Sequence, residues 1–389
     1  MKRILLIGYH FYPETSAHTY QTEGLVNGFC KSGYSVDLIV PDFFSTEERK
    51  KFIAKRGLTN LTIHSIKPSG RFARLLGLDK KYGSAYAFAV ARYVKKMKLH
   101  TNTELMVTTA LPFSCHLAGL FIKRANKNIR WIADYGDPYS FNRILYGPLK
   151  FWHIFNLWLF RRKYGIAMEK KAVRKMHKIT IPLEAAKEAY YKVGATEEQI
   201  EVIPLLFEYT PEACEYPHID ESKLNILYAG AFYQNARSPL EFFAAYKKLT
   251  EEGKAMAFHF FGNSEALNQY LAQAGMEDKA KYNIYANGVM PRNKLLHIMQ
   301  KMDLLLNINN IYKEQMPSKL IDYVNSGIRV LNVGDALFDE FDNAQNNQYN
   351  IYQVLSKISK NGRMANYGKS AEHFNYDNNL KRYVSLLEE

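Results

Sequence analysis

Residues 314–331 read E-Q-M-P-S-K-L-I-D-Y-V-N-S-G-I-R-V-L and combine the signals of a helix and of a strand. Pro317 suits the first turn of a helix, because its fixed φ fits there and its missing N–H group is not needed. Gly327 suits the residue that ends a helix in the left-handed conformation, and Val330 begins an apolar run. The stretch therefore predicts a helix that leads into a buried strand, as in an α/β fold.

The polar residues of the same stretch predict a site for an anion and for hydroxyl groups. Free N–H groups near Ser318 attract anions at a helix start, and Lys319 adds a positive charge. Glu314 and Asp322 stand eight residues apart, about two turns at ~3.6 residues per turn, so both carboxylates are expected on one helical face. Such a face can accept hydrogen bonds from sugar hydroxyls. Considered alone, the stretch fits an ordinary capped surface helix equally well.

The alternation of strand and helix signals extends over most of the 389 residues, a length that favours two domains. It begins with the apolar run Arg3 to Gly8 and pauses between Leu205 and Ser222, where two prolines occur without periodicity. The predicted fold is α/β with two Rossmann-like domains that face a cleft. The predicted parts are an N-terminal Rossmann-like domain over 1–205, a linker over 206–222, a C-terminal Rossmann-like domain over 223–365, and a C-terminal helix over 366–389 that crosses back to the N-terminal domain.

The loops after the predicted strands supply further candidate residues, because ligands of open α/β sheets bind at the carboxyl ends of strands. Small residues let backbone N–H groups approach a phosphate, and an arginine can bind it through two hydrogen bonds. A plain turn or a solvated side chain is the alternative at each position. The candidates are His10, Tyr12 and Ser16 in the N-terminal half, Asp137 after the run that ends at Ala133, and Gly230, Arg237, Gly262, Val289 and Met290 in the C-terminal half.

The charge is divided unevenly along the chain. Residues 1–178 contain 31 Lys and Arg against 11 Asp and Glu, whereas residues 179–389 contain 21 against 27. A basic N-terminal half indicates an anionic partner for that half. The aromatic and basic segment 142–178 fits interdomain core, a helix on anionic lipid, or a nucleic-acid patch. Together with segment 71–98 it favours an anionic membrane surface.

Several chemistries have no support in the sequence. The three cysteines, Cys30, Cys115 and Cys214, are far apart and predict neither a disulfide framework nor a zinc site. No H-x-x-x-H, P-loop, G-x-S-x-G or dinucleotide fingerprint occurs, so neither a metal nor a cofactor is expected. The apolar runs are too short to span a bilayer, and the start does not resemble a signal peptide. The expected location is the cytoplasm, peripheral at the inner membrane face.

Taken together, these segments resemble the two-domain GT-B glycosyltransferases, in particular the retaining family 4 type that builds bacterial surface polysaccharides. The order of segments matches over essentially the whole chain. The stretch A-D-Y-G-D-P-Y at 133–139 resembles the family's D-x-R-D-x-W element, with Gly136 where arginine is common. The stretch Y-A-G-A-F-Y-Q-N-A-R-S-P at 228–239 resembles its strand–glycine–basic element. Residues 314–327 resemble its E-x7-E donor motif, with Asp322 at the second acid.

The resemblance implies transfer of a hexosyl group from a nucleotide diphosphate sugar to an acceptor hydroxyl, with retention at the anomeric carbon. It implies that Glu314 contacts the donor sugar, that Asp322 contacts the ribose, and that Asp137 lies near the reacting carbon or the acceptor. Arg237 and Lys319 would hold the diphosphate. The implied donor-binding set also contains Gly230, Gly262, Val289, Met290, Pro317 and Ser318, and His10, Tyr12 and Ser16 would line the acceptor side.

Two departures from the family pattern concern the donor. The family often has a Gly-Gly pair where Ser16-Ala17 stands here, and an arginine near Ala231 or Phe232. The implied acceptor is lipid-linked or a saccharide, in bacterial surface glycan synthesis. Two other classes fit the sequence: a sugar-nucleotide epimerase of the same fold, which needs no acceptor, and a non-catalytic RNA-binding protein. The second explains the basic half but not the donor-like C-terminal half, and no nucleic acid is expected.

Overall fold

The structure, a computed structural model, describes residues 2–67, 84–101, 103–141, 158–233, 237–358 and 367–389. The chain divides into two compact units. Unit 1 comprises Met1–Glu208 and Tyr376–Glu389, and unit 2 comprises Tyr209–Asn375. Each unit is built on a parallel sheet with helices between successive strands, so the predicted pair of Rossmann-like domains is confirmed.

The described strands of unit 1 form one parallel sheet of seven. They are β1 (Arg3–Ile7), β2 (Ser35–Pro41), β3 (Leu61–Ile66), β4 (Leu105–Ala110), β5 (Arg130–Tyr135), β6 (Lys178–Ile181) and β7 (Ile200–Val202), in the order β3-β2-β1-β4-β5-β6-β7. The apolar run of β1 is buried on both faces from Ile4 to Ile7, which is typical of a parallel sheet covered by helices.

The first two helices of unit 1 begin at recognisable caps. Ser16 accepts a hydrogen bond from the Thr19 N–H at 3.2 Å, so the first helix begins at Ala17. Ser45 and Glu48 form a capping box at the second. The described α-helices are α1 (Ala17–Lys31), α2 (Thr46–Arg56), α3 (Ser84–Lys96), α4 (Ser114–Ala125), α5 (Trp158–Val173), α6 (Lys187–Tyr191) and α13 (Tyr376–Glu388).

The described strands of unit 2 form a parallel sheet of six in the order β10-β9-β8-β11-β12-β13. They are β8 (Leu224–Ala229), β9 (Met256–Phe261), β10 (Ile284–Ala286), β11 (Leu304–Ile308), β12 (Val330–Val333) and β13 (Asp342–Ala344). The described helices are α7 (Leu240–Glu251), α8 (Ser264–Gln273), α9 (Arg292–Met299), α10 (Lys319–Ser326), α11 (Gln348–Lys357) and α12 (Lys369–His373). Its core is rich in aromatic side chains, among them Tyr228, Phe243 and Phe258.

The C-terminal helix α13 belongs to unit 1, as predicted. The buried Tyr383 hydroxyl lies 3.1 Å from Asp134 Oδ1 and 2.8 Å from Thr180 Oγ1. The guanidinium of Arg130 donates to the Leu386 carbonyl at 2.9 Å. Burial raises the pKa of Asp134 to about 6, although the hydrogen bonds that it accepts oppose this shift. The last helix is therefore fixed to the sheet through a buried carboxyl group.

We expect Tyr383→Phe to lower the free energy of unfolding by about 1–3 kcal/mol, because Asp134 loses a buried hydrogen-bond donor. In the wild type, the hydrogen bond from Tyr383 stabilises the ionised form of Asp134. The loss of unfolding free energy should therefore be larger above the Asp134 pKa of about 6 than below it. Denaturant unfolding on either side of that pH measures both effects. The control is Tyr349→Phe, since Tyr349 is 70% exposed. Equal losses in the two variants would contradict the assignment.

Candidate functional site

Glycines form the carboxyl edge of the unit 2 sheet. The Gly230 N–H donates to the Phe261 carbonyl at 2.8 Å, and the Gly262 N–H donates to the Gly288 carbonyl at 2.9 Å. A Cβ atom at Gly262 would lie 2.3 Å from the Gly230 carbonyl oxygen, so only glycine permits this close approach. Gly230 has a φ of 116°, outside the range that other residues adopt readily. Both predicted glycines thus lie at adjacent strand ends.

Arg237 lies beside this edge and is held by a neutral side chain. Its Nε and Nη2 atoms donate to Asn310 Oδ1 at 3.2 and 2.8 Å. The Asn310 Nδ2 group donates in turn to the Gln315 carbonyl at 3.1 Å, which fixes the amide orientation. In the part of the chain that the structure describes, Arg237 forms no ion pair with a carboxylate. Its orientation is therefore fixed while its charge is not neutralised.

Lys319 is the first residue of α10 and places a second cation in the same region. Its Nζ atom lies 3.4 Å from the centroid of the Tyr228 ring and 5.9 Å from that of Tyr323. This atom is buried and has no hydrogen-bond partner among the described residues. Burial, and secondarily the positive charge of Arg237, hold the Lys319 pKa well below its ordinary value of 10.5. We name Arg237, Lys319, Tyr228 and Asn310 the cationic cluster.

The start of α10 differs from the expected geometry. The helix begins at Lys319, after the cap residue Ser318, and the buried Pro317 precedes both of them. Glu314 lies on a turn before the helix, so it does not share a helical face with Asp322 as expected. The reason is that residues 314–317 form part of the loop between β11 and α10 and are not helical.

Asp322 lies in α10 and is paired with an arginine from α9. The guanidinium of Arg292 donates to both carboxylate oxygens of Asp322, at 3.0 Å from Nε and 2.5 Å from Nη2. Both side chains are largely buried. The predicted ribose ligand is therefore already fixed by a bidentate ion pair. The neighbouring segment contains Val289, which is 82% exposed, and the partly exposed Met290.

The candidates of unit 1 cluster after β1. The Nδ1 atom of His10 lies 2.8 and 2.9 Å from the two carboxylate oxygens of Glu14. If Nδ1 carries the proton, Nε2 keeps its lone pair, as in the carboxylate–imidazole pairs that accept protons from hydroxyl groups. The His18 ring stacks on His10 at 5.5 Å, and burial lowers the His18 pKa to about 4. The loop after β1 thus presents an oriented imidazole.

The remaining candidates of unit 1 have different surroundings. Ser16 is the cap of α1, and the Tyr12 ring packs 5.6 Å from the Phe52 ring. Asp137 is partly exposed and follows β5. A Cβ atom at Gly136, where the resembling family often has arginine, would lie 3.5 Å from His18 Cε1. This is an ordinary contact, so crowding does not require glycine there.

Neither a metal site nor a membrane span is found in the described ranges. Within residues 2–67, 84–101, 103–141, 158–233, 237–358 and 367–389, no group of three or more His, Cys, Asp or Glu side chains is arranged to hold a metal ion. Across the same residues, no helix has both the length and the apolar character that a bilayer crossing requires.

Comparison with solved structures identifies the fold. Sucrose-phosphate synthase from Thermosynechococcus elongatus superposes with a TM-score of 0.70 at 13% identity, over 100% of this chain and 98% of that one. The Anabaena protein HepE, in complex with UDP and glucose, gives 0.64 at 11% identity over 100% of both chains. A putative UDP-N-acetylglucosamine 2-epimerase from Listeria monocytogenes gives 0.60 at 12%, over 100% and 96%. The chain therefore has the two-domain architecture of GT-B proteins.

The sequence alone matches nothing that would narrow this class. No family model matches it, and neither does any curated protein.

Asn310, Arg292 and Glu14 hold candidate side chains in place but are not among the sequence candidates themselves. Asn310 comes two residues after β11, and that position at a strand end is the only sequence signal for it. Arg292 stands two residues after the candidate Met290, but nothing in the sequence links it to Asp322. Glu14 stands four residues after His10, a spacing that is informative only once the loop conformation is known.

We expect Lys319→Met to raise the free energy of unfolding by about 1–3 kcal/mol, because it removes a buried ammonium group without a hydrogen-bond partner. Since the folded-state pKa of Lys319 is depressed, the unfolded chain binds the extra proton. The gain should therefore shrink as the pH rises toward 10.5. Denaturant unfolding at neutral and alkaline pH measures it.

The control is Lys313→Met, since Lys313 forms an exposed ion pair with Asp335 at 3.0 Å. Such pairs contribute little, so this change should leave stability nearly unchanged at both pH values. A lower stability of Lys319→Met than of the wild type would contradict the inferred strain at Lys319.

Proposed function

We propose that the protein is a glycosyltransferase of the hexosyltransferase type, which moves a sugar from a nucleotide diphosphate sugar to an acceptor hydroxyl. The observation that carries this proposal is the cationic cluster, in which Arg237, without an ion-pair partner among the described residues, and the buried Lys319 lie next to the glycine edge of a Rossmann-like sheet. Such a site suits a diphosphate. The complex of HepE with UDP and glucose, a protein of the same fold, supports a uridine nucleotide as the first ligand to test.

The chemistry of the step follows from the charge of the leaving group. The bond between the anomeric carbon and the diphosphate oxygen breaks, the acceptor oxygen bonds to that carbon, and the hydroxyl proton is released. Negative charge grows on the diphosphate, and Arg237 and Lys319 stabilise it. An incoming anion also relieves the repulsion between these two cations, so we propose that no metal or cofactor is needed.

The remaining donor contacts are assigned by resemblance. Glu314 contacts the sugar hydroxyls, and Asp322 contacts the ribose while Arg292 holds its carboxylate in place. Backbone groups at Gly230, Gly262, Val289, Met290, Pro317 and Ser318 complete the donor site. The GT-B resemblance to the family 4 type also supports retention at the anomeric carbon.

The acceptor contacts belong to unit 1. His10, oriented by Glu14, is placed to bind the acceptor hydroxyl, and Asp137 follows β5, two strands away from β1 in the same sheet. We propose a lipid-linked or saccharide acceptor in bacterial surface glycan synthesis, used at the inner face of the membrane. The basic segments 71–98 and 142–178 support this part, and their described residues include exposed lysines such as Lys95 and Lys170.

We expect Arg237→Ala to lower the rate of sugar transfer about a hundredfold, because one fixed positive charge at the leaving group is lost. Nucleotide binding, measured by calorimetry with uridine and guanosine diphosphates, should weaken in parallel. The matched control is Arg329→Ala, since Arg329 forms an ion pair with Asp342 elsewhere in unit 2. If both diphosphates bind Arg237→Ala as tightly as the wild type, the diphosphate assignment fails.

We expect Asn310→Ala to weaken diphosphate binding about tenfold, or about 1.4 kcal/mol. The guanidinium of Arg237 loses the acceptor that fixes it, so orienting it again on binding costs conformational entropy. Asn310→Asp should weaken binding further, since a carboxylate would neutralise the charge. Stronger binding by Asn310→Asp than by Asn310→Ala would show that orientation outweighs charge at this site.

A sugar-nucleotide epimerase is the second candidate, because proteins described as UDP-N-acetylglucosamine 2-epimerases share this fold. An epimerase converts the nucleotide sugar without an acceptor. Incubation of UDP-sugars with the protein alone, followed by chromatography of the products, separates the two. Formation of an epimer under these conditions would favour this second candidate, whereas turnover only after addition of an acceptor favours the transferase.

A further inference from the structure

A groove runs along unit 1 between α3 and α4. Its volume is about 530 Å³. Phe88, from α3, is 52% exposed and stacks on Phe121, from α4, with ring centroids 4.9 Å apart and planes inclined by 19°. Ala91 and Ala125 also line the groove, and their small side chains leave the two rings accessible. The floor of the groove is therefore aromatic and apolar, although it is open to solvent.

The rim of the groove is positively charged. Arg92, Lys95 and Arg124 line it together with His100, and the described lining residues include no carboxylate. Phe88, Arg92 and Lys95 are spaced four and three residues apart, which places them on one face of α3. In the described part of the chain, none of the three rim cations forms an ion pair with an acid.

The helices on both sides contain no acid at all. Neither Ser84–Lys96 nor Ser114–Ala125 includes an aspartate or a glutamate, and α3 ends with two lysines while α4 ends with Lys123 and Arg124. Most surfaces of soluble proteins mix charges of both signs, which limits association with other charged surfaces. A surface with only positive charge around an exposed aromatic pair attracts an anionic, amphipathic partner.

We infer that the groove between α3 and α4 docks on an anionic phospholipid membrane, with lipid phosphates at Arg92, Lys95 and Arg124 and the Phe88–Phe121 pair at the level of the glycerol and upper acyl groups. The long side chains of arginine and lysine reach the phosphates while the rings lie deeper. This inference rests on the membrane part of the proposed function and assigns it to specific residues, including α4, which lies outside segments 71–98 and 142–178.

Charge complementarity and apolar depth together favour a membrane over a nucleic acid. Aromatic side chains that bind single strands present ring faces on which bases stack. Here one face of the Phe88 ring is covered by Phe121, so that face is not open to a base. The alanines beside the rings leave an apolar trough rather than a polar one, which suits the interface of a bilayer.

The test is flotation of the full-length protein with vesicles of phosphatidylcholine alone and of phosphatidylcholine mixed equally with phosphatidylglycerol. We expect binding to the mixed vesicles only, and a loss that is at least about tenfold in Arg92→Glu/Arg124→Glu. Phe88→Ser should also reduce binding, since it removes the apolar contact without changing the charge. The matched control is Lys51→Glu/Lys55→Glu, the same charge change on the exposed face of α2.

Three outcomes would overturn the inference. The first is that the wild-type protein binds equally to vesicles with and without phosphatidylglycerol. The second is that Lys51→Glu/Lys55→Glu loses as much binding as Arg92→Glu/Arg124→Glu, which would assign the effect to net charge. The third is that Arg92→Glu/Arg124→Glu loses binding to single-stranded RNA but keeps binding to vesicles. Thermal unfolding confirms that each variant is folded.

Calorimetry with uridine and guanosine diphosphates reports on the other part of the proposed function. Arg92→Glu/Arg124→Glu should bind these nucleotides as the wild type does, because the groove lies in unit 1 and the cationic cluster in unit 2. Vesicle binding without nucleotide binding would leave the groove assignment intact and remove the glycosyltransferase proposal. Nucleotide binding without vesicle binding would leave the glycosyltransferase proposal intact and remove the groove assignment.

Discussion

Unit 2 holds two basic side chains, Lys319 and Arg237, close enough to repel each other, and Lys319 is buried. The Nζ atom of Lys319 is buried against the face of the Tyr228 ring and has no hydrogen-bond partner among the described residues. The Arg237 guanidinium nearby is held by the neutral Asn310. Burying like charges without counterions is unfavourable. Such an arrangement becomes favourable when an anion enters, and this is why the cluster indicates a ligand rather than a structural ion pair.

The parallel sheet makes this arrangement possible. Its strands end at one edge, and the glycines at that edge bring backbone turns within contact of one another. Helix α10 follows β11 and delivers Lys319 and Asp322 to the same unit from one short segment. Arg237 comes from a different crossover, after β8. Residues far apart in the chain therefore converge because parallel strands require long connections that return to the same edge.

Much of the fold follows from local patterns in the sequence. Buried runs such as Arg3–Ile7 and Leu224–Ala229 have the continuous apolar character of strands covered on both faces. The left-handed Gly327 ends α10 as its position indicated, with a φ of 72°. The sequence pattern predicts an earlier start of α10 than the structure shows. For the same reason, the prediction that Glu314 and Asp322 share one helical face is wrong. Turn geometry before a helix depends on contacts that a single stretch of sequence does not contain.

Local patterns in the sequence predict the two α/β units, the glycines at the strand ends and the charged residues proposed to hold a phosphate, because each pattern involves neighbours within a few positions. Which side chains are paired is visible in the tertiary structure and not in these patterns. The tertiary structure pairs Asp322 with Arg292 and His10 with Glu14, and it places the Lys319 Nζ atom where no other described residue forms a hydrogen bond with it. The sheet brings together residues that are far apart in the chain, and pairing and burial depend on these contacts. A local sequence pattern contains no information about them.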